Sequence, residues 1–267
     1  MLQIFAYIFM FIDHIFKFLQ IKGFTNTNPI IGTLSFPIFA YLVATSLKRT
    51  KNKDKYLMRL LIFAFVSQIP MILMVFGTPN TKSVVKLTDK IIYLFLFFTQ
   101  KLNIGFTLTL GVLSIKMMEK NKDNFLNKMI FLLIFLIISV LLNVDYGLYG
   151  VALIVVFYYI KKLPYLFLII VLLNAVNFVV NYVYGNINRE TLVVMNMHIL
   201  YGILALPFIY LLGIRMEEIN KAKIRKEKKL KTTENNNKKK ILRILKYSIY
   251  PVHMLAIYLF NYFNVFM

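Results

Sequence analysis

The chain has 267 residues, is 59% hydrophobic and carries 32 Lys and Arg against 11 Asp and Glu, for a net charge of +21. Its mean hydropathy of +0.69 exceeds what a soluble domain, roughly 45–50% apolar, carries, so the composition asks for a bilayer. With no cysteine, disulfide frameworks, thiolate metal sites and a cysteine nucleophile are excluded.

A membrane-crossing helix needs about 20 mostly apolar residues. In chain order the apolar runs predict spans at 2–20, 29–47, 57–76, 91–118, 129–144, 146–161, 163–184, 191–214 and 243–265. The fourth run is interrupted by "TQKLN", so it divides into a piece at 91–99 and a span at 102–118, giving nine or ten helices. The fifth and sixth meet at "NVDYG", a tight turn at a membrane face. The first run has neither a basic leader nor a small-residue cleavage site, and reads as a retained span.

The basic residues follow the same order. "KRTKNKDKYLMR" after the second span, "KMMEKNKDNFLNK" after the fourth, Lys161 and Lys162 after the sixth and the stretch after the eighth are all rich in Lys and Arg. The odd-numbered loops are lighter. That parity puts the N-terminus in the cytoplasm. The expectation is an all-α, polytopic protein of the bacterial cell membrane: one membrane domain over residues 1–267, with a basic cytoplasmic linker at 215–242 before the last helix. Charge gathered in short blocks between apolar runs argues against nucleic acid as a partner, because binding it requires a basic face on a soluble fold.

Ionisable groups at membrane depth usually face a bundle interior or a water-filled cavity. The chain offers Asp13, His14, Arg59, His198 and His253, with Asp145 at a span end. His14 lies about 18 Å along the first span, at 1.5 Å per residue, in its outer half. Successive helical residues point about 100° apart, so Asp13 and His14 each need a partner on another helix. A neutral imidazole there suits proton abstraction from an amine or hydroxyl near neutral pH. A packing histidine bonded to a carbonyl is the alternative.

In "YSIYPVHML", Pro251 removes a backbone donor and kinks the last helix beside His253. Arg59, at the start of the third span, either snorkels to the interface or grips a phosphate. The three histidines lack metal-ligand spacing, so no metal is expected. No G-x-S-x-G elbow or phosphate-cradling glycine loop occurs. These residues by themselves leave a transporter and a membrane enzyme both open.

Six segments, in register from residue 2 to about 260, resemble the TraX family, which includes a membrane protein that N-acetylates pilin. "MFIDHI" is similar to its Asp-His signature, and "GTLSFPIFAYL" to its Phe-Pro-x-Phe-Ala-x-Leu block. "DKYLMRLLIFAFVSQIP" resembles a Tyr-x-x-Arg-Leu block ending in Ser-x-x-Pro. "LNIGFTLTLGVLSI", "NVDYGLYGVALIVVFY" and "YSIYPVHML" resemble its later blocks. The resemblance implies transfer of an acyl group, from acetyl-CoA as co-substrate, to an acceptor amine or hydroxyl on a protein N-terminus, a sugar or a lipid. Carried onto this chain, it makes His14 the catalytic base and Asp13 its companion. Arg59, Asn103, Asp145 and His253 then line the site or the acyl-CoA path, with Lys48 and Arg49 of the basic loop as further CoA-binding candidates.

The chain departs from the family pattern at three places. Gly32-Thr33 replaces Gly-Arg, Thr45-Ser46 replaces Glu-Gly, and Arg49 stands near a frequent histidine. The competing readings are a transporter of a small solute or lipid-linked intermediate, and a non-catalytic family member.

Overall fold

The computed structural model describes residues 2–18, 34–76, 95, 101–121, 124–184, 202–215 and 236–266. These are almost entirely helical: α1 (Leu2–Phe18), α2 (Ser35–Arg49), α3 (Lys53–Phe76), α4 (Ile104–Lys120), α5 (Phe125–Leu141), α6 (Gly147–Tyr159), α7 (Leu163–Tyr184), the short α8 (Ala205–Phe208) and α9 (Asn236–Phe266). No strand occurs among the described residues, only an isolated bridge between Leu102 and Val144. The all-α expectation holds. The expected piece at 91–99 falls almost wholly outside the described residues, as do Thr33 and His198.

Two elements differ from the reading of the sequence. The described part of the eighth run is one composite segment, a 3-10 turn (Gly202–Leu204), α8 and a π-helical stretch (Ile209–Arg215). The last helix reaches back to Asn236, into the expected linker. Its lysines there precede Ile241, Leu242, Ile244 and Leu245 at helical spacing, an amphipathic start that a composition-based reading took for coil.

One helix among the described residues, Lys53–Val75, is by itself long and apolar enough to cross a bilayer. Leu2–Phe16, Phe125–Leu141, Gly147–Tyr159, Leu163–Val176 and Ala205–Ile214 are shorter apolar helices. Their outer faces stay apolar: Ile62, Phe65 and Ile69 on α3, Leu133, Ile137 and Leu141 on α5, and Phe167, Leu172 and Val179 on α7 are all exposed.

Caps and small residues explain how the helices start and meet. The Asn103 side chain accepts from the Gly105 amide at 2.7 Å, starting α4, and Asn124 does the same for α5 through Asn127. Such caps satisfy donors that the first helical turn leaves orphaned. α4 and α6 touch through glycines: a Cβ on Gly111 would stand 2.6 Å from Ile154, and one on Gly150 would stand 2.5 Å from Thr107. A main core of α1, α2, α4, α6, α7 and the composite segment surrounds Phe36, Ile115, Leu153 and Ile154. A second, methionine-rich cluster joins α1, α3 and α9 through Met10, Met71, Met74 and Met254.

Contacts between helix ends give the bundle a basic end. Lys53 pairs with Glu119 and Lys116 with Asp54. Tyr158 donates to Glu119 at 2.5 Å, and Lys48 lies 4.8 Å above the Tyr158 ring. Tyr7 near the start of α1 donates to the Lys246 carbonyl of α9 at 2.8 Å. Among the described residues, Lys48, Lys53, Lys116 and Lys246, which the sequence spaces far apart, therefore sit toward one end.

Candidate active site

α1 and α9 run parallel, and three hydrogen bonds tie them level by level. Tyr7 meets Lys246, His14 meets His253, and the Asn261 amide donates to the Phe18 carbonyl at 2.6 Å. The middle contact joins His14 Nδ1 to His253 Nε2 at 2.5 Å, with the two ring planes within 15° of each other. Phe11, Phe18 and Tyr250 surround the pair edge-on or tilted.

Protonation follows from the network. The other nitrogen of His253, Nδ1, lies 2.9 Å from the Ile249 carbonyl. A carbonyl only accepts, so Nδ1 carries the proton, and a neutral His253 presents a lone pair at Nε2. His14 must then donate from Nδ1, which leaves the lone pair of a neutral His14 on Nε2. Ile249 stands one helical turn before His253 on the same helix. The order carbonyl, His253, His14 thus assigns a tautomer in which Nε2 of His14 is basic.

Asp13 is buried on the next position of α1 and lines the same cavity as His14. Across it stands the "NVDYG" turn. Asn143, Tyr146 and Gly147 adopt left-handed conformations with φ of 46°, 61° and 45°. For a residue as bulky as Tyr146 that geometry costs about 1–2 kcal/mol. Stacking on Phe36 at 3.9 Å with planes 8° apart offsets it. The turn is pinned from α4 and its leader. The Asp145 amide donates to the Leu102 carbonyl at 2.8 Å, the Leu102 amide to Asn143 at 3.2 Å, and the Thr107 hydroxyl to the Asp145 carbonyl. Lys101 lies 3.8 Å from the Asp145 carboxylate. Tyr146 and Tyr250 are within electrostatic reach of both Asp13 and Asp145.

A cavity of about 760 Å³ connects these groups to the basic end. Lys55, Arg59, Tyr56, Asn52 and Lys246 line it there, and Asp13, His14, Lys101, Asp145, Tyr146 and Tyr250 line it deeper in. From Gln3 at the mouth to His14, eleven residues of α1 span about 16 Å. Arg59 lies 5.7 Å over the Tyr56 ring, and its buried Nε has no hydrogen-bond partner among the described residues. A buried guanidinium nitrogen left in that state, in a cavity that Lys55 and Lys246 also line, fits an anion such as a phosphate.

Of the residues singled out in the sequence, Asp13, His14, Arg59 and Asp145 line the cavity, with His253 bonded to His14. Asn103 has a different task. It is fully buried, accepts from Gly105, and donates to the Ala64 carbonyl at 2.7 Å and to Gln68 at 2.8 Å. Gln68 in turn accepts from the Asn103 amide and donates to the Lys101 carbonyl, each at 2.9 Å. Asn103 therefore anchors the start of α4 and, through Leu102, the Asp145 turn, without lining the cavity. Lys48 and Arg49 close α2 at the basic end and do not line it either.

Sequence reasoning missed Lys55, Lys246 and Tyr56 as wall residues. Lys246 lies seven positions before His253, as Tyr7 does before His14, a shared spacing that signals the parallel register. No group of three potential metal ligands occurs among the described residues.

A family model described as TraX protein matches residues 1–261, so the chain belongs to the TraX family. No curated protein and no solved structure matches the chain.

Proposed function

We propose, taking membership of the TraX family as the premise, that the chain is a multi-pass membrane acyltransferase. It moves an acyl group from acyl-CoA, with acetyl-CoA as the reference donor, to an amine or hydroxyl of an acceptor. The observation that carries this reading is the single cavity running from Arg59, Lys55 and Lys246 to the His14–His253 pair. The apolar outer faces of α3, α5 and α7 support burial in lipid, since patches of that extent are rare on soluble monomers. Nine spans with the basic end in the cytoplasm is the topology consistent with the charge pattern. Phosphates of CoA then meet Arg59 and the lysines at the mouth, and the arm covers the distance to His14.

In the reaction, His14 Nε2 takes the proton from the acceptor N–H or O–H as that atom attacks the thioester carbonyl. His14 becomes an imidazolium whose Nδ1–H still donates to His253. The new acyl–acceptor bond forms, the carbon–sulfur bond breaks, and the departing CoA sulfur takes the proton from His14 Nε2. His253 is a positioning residue: it holds the tautomer and stabilises the imidazolium, while the Ile249 carbonyl holds His253.

The test uses the full chain purified in detergent with acetyl-CoA, following release of the CoA thiol. Wild type releases thiol, and His14→Ala slows release by about 10²–10⁴, the range for loss of a general base. Unchanged release by a His14→Ala protein with wild-type melting behaviour would sink the assignment.

A further inference from the structure

The cavity does not stop at the histidine pair. Phe63 packs 5.7 Å from Tyr247 and 5.5 Å from Tyr250, and further along Met71, Ile72 and Met74 cluster with Met254 and Ile257, which sets α3 against α9 in parallel register. Counting on from Phe63 puts Met71 about one turn, and Met74 about two turns, beyond the level of His14. Both line the cavity, together with Met10, Met254, Val75 and Phe18. The four methionines are buried and belong to one apolar cluster. Lys101, Asp145 and Tyr146, from the α4 leader and the turn before α6, line the same cavity, so beyond the level of His14 the α1–α3–α9 wall is apolar and the facing wall is polar.

From this geometry we infer that the methionine wall is an acyl-chain pocket, and that the donor carries an acyl group of about five to six carbons in place of acetyl. The inference rests on the acyl-CoA reading and names the substrate class of that same site. A donor arm entering at Arg59 brings its thioester to His14, so the acyl chain continues along the same line toward Met71 and Met74. One turn beyond His14, to the level of Phe18 and Met71, is about 6 Å, and the Met74 side chain, which leans back toward the N-terminal end of α3, bounds that depth. At about 1.3 Å per bond of an extended chain, from ordinary carbon–carbon lengths, that depth holds four to five carbons past the carbonyl. Acetyl would leave the pocket unfilled. Methionine suits this role because its unbranched, polarisable side chain adapts to a flexible apolar ligand.

The experiment measures binding of thioether analogues, which cannot react, to the full chain in detergent: CoA itself, S-ethyl-CoA, S-butyl-CoA, S-hexyl-CoA and S-decyl-CoA. Each methylene buried in the wall tightens binding by about fourfold. S-butyl-CoA is therefore expected to bind about 15-fold tighter than S-ethyl-CoA, S-hexyl-CoA tighter again, and S-decyl-CoA no tighter than S-hexyl-CoA. Met74→Trp should reduce the hexyl-to-ethyl ratio to about threefold or less, and Met71→Phe, a milder filling, should reduce it in the same direction. Melting curves identify which variant has folded. Equal affinity for S-ethyl- and S-hexyl-CoA overturns the chain-length inference and leaves the acyl-CoA reading standing. So does a ratio undiminished in the folded variants, or affinity still rising at decyl, which puts the chain elsewhere. If neither CoA nor any analogue binds, the acyl-CoA reading fails and the inference with it.

Discussion

Removing His253 separates a positioning role from a packing role. In wild type, His14 donates from Nδ1 to His253 at 2.5 Å, and His253 is itself fixed by the Ile249 carbonyl at 2.9 Å. When His14 takes the acceptor proton, that hydrogen bond becomes charge-assisted, worth about 1.5–3 kcal/mol. At 1.36 kcal/mol per decade, losing it costs about 10- to 150-fold in kcat. The KM for acetyl-CoA should stay within about threefold, because the mouth residues sit two turns or more from the pair. His253→Gln, whose side-chain amide can still accept from His14, should recover about tenfold over His253→Ala. The assay is thiol release at saturating acetyl-CoA in a double-mutant cycle with His14→Ala. His253 acts only through His14 in this account, so adding His253→Ala to His14→Ala should change the rate by less than about twofold. An undiminished effect in that background, or full kcat in folded His253→Ala, refutes the reasoning.

Arg59→Gln removes a guanidinium whose Nε is buried without a partner. It is expected to raise the KM for acetyl-CoA about ten- to a hundredfold, the value of a charge-assisted contact, with kcat within about threefold in steady-state kinetics. Gln68→Ala deletes three hydrogen bonds at the start of α4. Leaving buried backbone groups unsatisfied costs about 1–3 kcal/mol each, so a clear drop in melting temperature should accompany lost activity in thermal unfolding. An unchanged melting temperature would contradict the anchoring role given to Asn103 and Gln68. Leu133→Lys puts a charge at the middle of the exposed apolar face of α5. At about 2.5–3.5 kcal/mol for a cation at mid-membrane, the protein in membrane fractions should fall severalfold by immunoblot. Unchanged abundance would show that this face does not meet lipid.

Much of the architecture was written along the chain. Runs of apolar residues broken by basic blocks determine helices, their approximate ends and a common basic end. In the "NVDYG" turn Asn143 and Gly147 tolerate left-handed backbone, whereas Tyr146 is held there by its stacking on Phe36, and Pro251 marks where the last helix lacks a backbone donor. The Asp13–His14 oddity in "MFIDHI" marks the part of α1 that faces the cavity. These are local signals, set within a few residues by sterics, hydrogen bonding and hydropathy. Other features depend on which helix lies beside which. His14 finds its partner 239 residues away, and only the parallel register of α1 and α9 determines which of its nitrogens is basic. Asn103 has the same chemistry as a ligand-binding asparagine, but Gln68 and Ala64 close around it and make it an anchor. Met71 and Met74 look like any membrane methionines until α3 packs on α9 and turns them toward one cavity. Periodicity states which face of a helix is apolar, whereas the neighbour that face meets is set by packing against the rest of the chain.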